Sequence, residues 1–195
     1  MSAAEDFLYG YLRDLTLTRF SKHCPLVQFT AKELEEYTES SKLGDELSMI
    51  MLWGEAGTLI FKTHYSEHSG RYLAARAMNL DERQINKETI RAYMNEFNNL
   101  MGGHFRGTLE TGNTLLGMSL PFTAGGDDEL EFFKLRDKKF SVKRWVLQGE
   151  PELSVVFSCE MRLDEPQQID SLRAKLSEAL EADRGSDNSG DIEFL

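Results

Sequence analysis

Apolar residues fall at three- and four-residue intervals over residues 5–22, with Phe7, Leu8, Tyr11, Leu12, Leu15 and Phe20 on one side, the pattern of an amphipathic helix. Between Cys24 and Gly44 the pattern weakens around Pro25 and Ser40-Ser41, and the segment reads as a loop with room for a short helix or strand. Residues 46–53 and 58–64 are rich in strand formers and are joined by Gly54-Glu-Ala-Gly57. This predicts a hairpin whose core candidates are Met49, Met51, Leu52, Leu59, Ile60 and Phe61. Ser66 or Ser69 caps a helix running to about Leu80, with Tyr72, Leu73, Ala75, Ala77 and Met78 on its apolar side. Asn86 caps a longer helix that runs to about Leu109. Residues 115–122 alternate loosely until Pro121 stops them, one strand before the turn Gly125-Gly-Asp-Asp128. Residues 129–135, 140–149 and 153–163 add two or three strands, the last two a hairpin around Gly149-Glu-Pro151. A closing helix spans about residues 169–180, with Leu172, Leu176, Ala179 and Leu180 inward. Helices and strands mix without βαβ alternation, so the class is α+β. Residues 1–182 read as a single domain and 183–195 as a flexible acidic tail.

The long helix carries the most information. At about 100° per residue, Ile90, Tyr93, Met94, Phe97, Leu100 and Met101 form an apolar arc of about 120°. Opposite them, Ala92, Glu96, Asn99 and Gly103 recur at intervals of four, three and four and line one stripe. Gly102-Gly103 within a helix costs about 1 kcal/mol each relative to alanine, and a glycine pair permits close approach of another backbone or a partner. Glu96 and Asn99 put an acceptor-only carboxylate one turn from an amide that both donates and accepts, a pair able to grip a cation and orient a water. Spacing by itself leaves these residues as an ordinary solvated face. Asn98 lies off the stripe and reads as incidental.

Composition narrows the partners. Asp and Glu outnumber Lys and Arg by 33 to 22, and the net charge of −11 repels the phosphate backbone of nucleic acid and anionic membrane surfaces. No apolar run approaches the roughly 18 residues needed to span a bilayer. The acidic start Met1-Ser-Ala-Ala-Glu-Asp lacks the features of a secretory signal, so a cytoplasmic location is expected. Cys24 and Cys159, far apart and without a CxxC motif, read as reduced structural residues.

The pattern Glu-x-x-Asn-x-x-x-Gly, here Glu96, Asn99 and Gly103, resembles the signature helix of the CheC/CheX-type chemotaxis phosphatases. Upstream, Gly54-Glu-Ala-Gly-Thr-Leu-Ile-Phe61 is similar to the hairpin of that family, and downstream Leu116-Gly-Met-Ser-Leu-Pro-Phe-Thr-Ala-Gly125 is similar to its Pro-containing strand and loop. The likeness covers about residues 46–126, with weaker support to Leu180. It implies a CheC-like fold, a mixed sheet of about six strands packed against two or three long helices. It also implies a hydrolase acting on the aspartyl phosphate of a phosphorylated CheY-like receiver domain. By the resemblance Asn99 positions the attacking water, Glu96 contacts the receiver's active-site lysine, and Asn95, Gly102 and Gly103 meet the partner. No cofactor belongs to this chain, and Mg2+ sits on the receiver. Residues 5–22 hold no second Glu-x-x-Asn, which is the one-site pattern of the CheX branch, whose members form homodimers through sheet edges. The alternative is a non-catalytic receiver-binding or flagellar-switch-like scaffold.

Three further features have ordinary explanations. His64 and His68 have a spacing that holds a metal on one helix, but His64 falls at a strand end and no third ligand is evident. His104 follows the glycine pair, at the edge of the expected docking surface, and the family requires no general base. Asp191-Ile-Glu-Phe-Leu195 is either a tether for a receiver or a frayed end.

Overall fold

Alternation along the strands and helical spacing elsewhere put most of the large apolar side chains on one side of a single sheet. The computed structural model describes residues 2–34, 43–110, 116–128, 140–149, 153–164 and 166–185. Helix α1 (Ala3–His23) opens with a capping box in which the Ser2 side chain accepts from the Glu5 N–H and the Glu5 carboxylate from the Ser2 N–H. Strand β1 (Thr30–Glu33) lies within the stretch read as a loop. Strands β2 (Glu46–Gly54) and β3 (Gly57–Tyr65) form the expected hairpin. Gly57 has φ 146, and a Cβ there would lie 2.0 Å from the Arg162 carbonyl oxygen, so only glycine fits. Helix α2 (Glu67–Met78) is capped by Ser66, and α3 (Lys87–Glu110) begins where the Asn86 side chain accepts from the Thr89 N–H at 2.8 Å. Strands β4 (Leu116–Met118), β5 (Phe122–Gly125), β6 (Ser141–Gly149) and β7 (Leu153–Leu163) precede helix α4 (Pro166–Gly185).

The strands form one sheet in the order β1-β6-β7-β3-β2-β4, with β5 also on β2 and every described pairing antiparallel. Two of these strands differ from the sequence expectation: β1 lies in the stretch read as a loop, and Pro121 interrupts the edge strand without ending it, giving β4 and β5. Between the pairs Leu52↔Met118 and Met49↔Phe122, β2 contributes Ile50 and Met51 while the edge contributes Ser119, Leu120 and Pro121. The extra residue is a bulge, which accommodates a proline that has no N–H for the ladder. It also reverses the parity of the strand, so that Met118 and Thr123 both face the helices. The strand expected over residues 129–135 and the tail peptide Asp191–Leu195 lie outside the described residues. The closing helix runs further than its apolar spacing predicts, to Gly185, and Asp183 near its end is buried against Arg19 of α1 at 2.7 Å.

The core joins Phe20 of α1, Phe97 of α3, Phe61 of β3, and Trp145 and Phe157 of β6 and β7. The Trp145 indole donates to Thr16 of α1 at 2.9 Å. Met51 and Ile60, expected in this core, point the other way because their neighbours Ile50, Leu59 and Phe61 take the helix side, and Met51 is 39% exposed. The opposite face of the sheet also carries buried polar groups. Lys62 and Glu160 pair at 2.6 Å, each 3% exposed, and His64 meets Ser158 at 2.9 Å. The metal spacing of His64 and His68 dissolves here, since His64 is buried on β3 and His68 exposed on α2. Both cysteines are free and buried, and burial pushes the Cys24 thiol up to about 12.

Two stability predictions follow from these buried groups. Lys62→Met strands the Glu160 charge and lowers the unfolding free energy by about 3–5 kcal/mol, whereas K62M/E160L together restore most of it; urea titration reads both. Burial holds the imidazoles of His64 and His23 down to about 3 and about 4. The unfolded chain therefore takes up their protons first as pH falls. Stability is full above about pH 6.5 and declines below it, by up to about 1.4 kcal/mol per pH unit for each histidine. Urea midpoints at pH 7.5 and 5.5 measure the decline, and His64→Gln reduces it.

Candidate functional site

Helix α3 is held to the sheet by one side. Ile90, Tyr93, Met94, Phe97 and Met101 are buried as the spacing predicts, and the Phe97 ring lies 4.4 Å from Phe20 and 6.1 Å from Phe157. Its first turn is fastened to β2, where Lys87 and Arg91 meet the Glu46 carboxylate at 2.7 and 2.6 Å. Burial alone would raise the Glu46 carboxyl, but the hydrogen bonds and charges of these two cations outweigh it and hold the group below its ordinary range.

A chain of side-chain hydrogen bonds fastens the middle of the helix. The Thr63 hydroxyl of β3 donates to Asn98 Oδ1 at 2.7 Å, and Asn98 Nδ2 donates to Ser48 Oγ of β2 at 2.9 Å. The Ser48 hydroxyl donates to Asn95 Oδ1 at 2.6 Å, which also accepts from Thr123 of β5 at 3.0 Å. Asn98 is fully buried, off the stripe as its spacing places it, with both ends of its amide bonded to strand hydroxyls. Asn95 is likewise turned toward the sheet, with its carbonyl oxygen occupied by strand hydroxyls.

The opposite side presents the predicted stripe. Ala92 and Gly103 are exposed and Glu96 and Asn99 half-buried, with Asn99 Nδ2 at 3.5 Å from Glu96 Oε2, the outer limit of a hydrogen bond. A Cβ placed on Gly103 or on Gly107 meets nothing within 4 Å. Gly107 continues the four-residue interval and extends the open surface by a turn; that interval was the signal available in the sequence. Gly102 does not belong to this surface. It is buried, and a Cβ there would come within 3.0 Å of Ile50 Cδ1 and Met118 Sδ, so its small size serves the packing of α3 on β2 and β4. His104 also leaves the expected docking edge: it is half-buried against α1, with Nε2 2.9 Å from the Tyr11 hydroxyl and Nδ1 3.3 Å from Arg19. Burial and the Arg19 charge lower its pKa, which favours the neutral ring.

The structure thus brings Glu96, Asn99 and the small residues Ala92, Gly103 and Gly107 onto one exposed face, and turns Asn95, Asn98, Gly102 and His104 inward. A carboxylate and an amide on open helix surface can orient a water and contact a cation. Among the described residues no three of His, Cys, Asp and Glu converge as a metal site, and no helix is long and apolar enough to cross a membrane.

An antiparallel sheet carrying helices on one face defines a class of α+β proteins. Within it the chain adopts the CheC-like fold. CheX from Vibrio vulnificus matches at TM-score 0.60 and 13% identity, over 80% of this chain and 99% of that one. A chain of the CheX-CheY-BeF3-Mg2+ complex from Borrelia burgdorferi matches at TM-score 0.56 and 14% identity, over 80% and 97%. A CheC-like superfamily protein from a Shewanella species matches at TM-score 0.57 and 12% identity, over 83% and 99%. No protein-family model and no curated protein matches the chain.

The glycines give a direct check on which side of α3 is open. Gly103→Ala and Gly107→Ala each raise the unfolding free energy by about 0.5–1 kcal/mol through helix propensity alone. Gly102→Ala gains less or loses, because Ile50 and Met118 must give way. Equal gains at all three positions in urea unfolding would contradict the assignment.

Proposed function

We propose that this chain is a CheX-like member of the CheC/CheX group and a hydrolase that removes the phosphoryl group from the aspartyl phosphate of a CheY-like receiver domain in chemotaxis signalling. The observation that carries the reading is the outward Glu96-Asn99 pair, flanked by Ala92 and Gly103 on a helix fixed to the sheet. The fold supports it, being shared with a CheX crystallised together with CheY, BeF3 and Mg2+.

In this reading the stripe lies against the receiver's active site, where Ala92, Gly103 and Gly107 allow close approach. The Asn99 amide accepts a hydrogen bond from a water and aims its oxygen at phosphorus, in line with the aspartyl oxygen. Water attacks, the bond between phosphorus and that oxygen breaks, and inorganic phosphate and a free aspartate result. No covalent intermediate forms on this chain. Glu96 contacts the receiver's active-site lysine, and Mg2+ belongs to the receiver. Positioning and charge stabilisation supply most of the barrier reduction in phosphoryl transfer, so an amide suffices. Its ability to orient water does not change with pH, since an amide does not titrate. The reading also includes a cytoplasmic location, a homodimer formed through a sheet edge and one catalytic pair per chain.

Asn99→Ala slows phosphate release from a phosphorylated receiver by about a hundredfold or more, or roughly 2.7 kcal/mol of barrier, while receiver binding persists. Stopped-flow release assays and titration of the unphosphorylated receiver measure the two effects. Equal release by variant and wild type would overturn the assignment, and binding without any turnover by the wild type would favour a scaffold.

A further inference from the structure

We propose that Asn98 is a positioning residue of this site: its buried amide, bridged between Ser48 of β2 and Thr63 of β3, sets the rotation of α3 about its own axis and thereby the placement of Glu96 and Asn99. The proposal rests on the function proposed above.

Asn98, Ser48 and Thr63 are each 0% exposed. Their hydrogen bonds run in one direction, from Thr63 to Asn98 at 2.7 Å, from Asn98 to Ser48 at 2.9 Å and from Ser48 to Asn95 at 2.6 Å; Thr123 donates to the same Asn95 oxygen at 3.0 Å. The network ties one helix to β2, β3 and β5. A leucine would fill the Asn98 site with less desolvation cost than a buried amide. What the amide adds is direction.

Apolar contact from Phe97, Met94 and Met101 holds α3 down without fixing its angle, because the hydrophobic effect is non-directional. Hydrogen bonds weaken steeply as they bend, so the bridge resists rotation. With side chains reaching about 5–6 Å from the helix axis, a rotation of about 20° carries their tips about 2 Å. A misplacement of about 1 Å costs on the order of a hundredfold in rate. Asn98 is also covalently adjacent to Asn99, so a shift of one backbone unit moves the other. Packing therefore sets which side of α3 meets the sheet, and the bridge fixes the final rotation that places Glu96 and Asn99.

The test compares S48A/T63V/N98L with wild type, together with the pair T63V and T63S. Both partners of the Thr63–Asn98 and Asn98–Ser48 bonds are replaced by residues of similar shape, and Asn95 Oδ1 keeps its bond from Thr123, so stability stays nearly unchanged, which urea unfolding verifies. The expected result is a kcat for phosphate release at least about tenfold lower in the folded triple variant, with KM for the phosphorylated receiver within about twofold. T63V falls in the same direction, and T63S, which keeps the donor, retains wild-type kcat. Wild-type kcat in the folded triple variant overturns the proposal. Should the triple variant not fold, equal kcat for T63V and T63S overturns it instead. Absence of turnover by the wild type on every receiver counts against the proposed function. The role of Asn98 is then read from amide hydrogen exchange: faster exchange over residues 96–103 in the folded T63V variant than in T63S supports it, and equal exchange overturns it.

Discussion

Everything α3 shows to solvent depends on how its inner side is seated on β2 and β3. Two kinds of force act there and do different things. The aromatic contacts of Phe97 with Phe20 and Phe157 supply most of the attraction, since burying one such side chain is worth about 1.5–3 kcal/mol. The bonds of Asn98 to Ser48 and Thr63 add only about 0.5–1.5 kcal/mol each, but they are directional. Glu46 adds a third fixed point at the start of the helix through Lys87 and Arg91. Helix phase, and with it the exposure of Glu96 and Asn99, results from all three.

The edge strand contributes through its bulge. Without the extra residue at Ser119–Pro121, Met118 and Thr123, five positions apart, would face opposite sides of the sheet. With it, Met118 sits beside Gly102 and Thr123 reaches Asn95, so the strand supports α3 at two points along its length. A proline that looks like a strand stop in the sequence is, in the folded chain, part of what holds the candidate site in place.

The helical period and the hairpin were legible because they rest on local spacing, and the stripe from Ala92 to Gly103 followed from the same arithmetic. On α3, Asn95 and Gly102 were expected at the partner surface, and both instead face the sheet, where strand hydroxyls and packed side chains meet them. Asn98, already off the stripe by its spacing, is buried because two strand hydroxyls satisfy its amide inside the protein. Gly102 and Gly103 are neighbours expected on the same docking surface, yet one is small to admit Ile50 and Met118 and the other lies open. Lys62 of β3 is buried together with Glu160, 98 residues away in the chain. Such long-range partners leave no local periodic trace.

In the proposed function this surface acts on a phosphorylated receiver rather than on a small molecule or as passive structure. Phosphate release from the organism's own CheY-like receivers, each phosphorylated and mixed with the wild-type protein in Mg2+ buffer, tests it most directly. The expected result is that at least one receiver loses its phosphoryl group faster with added protein, saturably and with no phosphate retained on this chain. Unchanged decay for every receiver would contradict it.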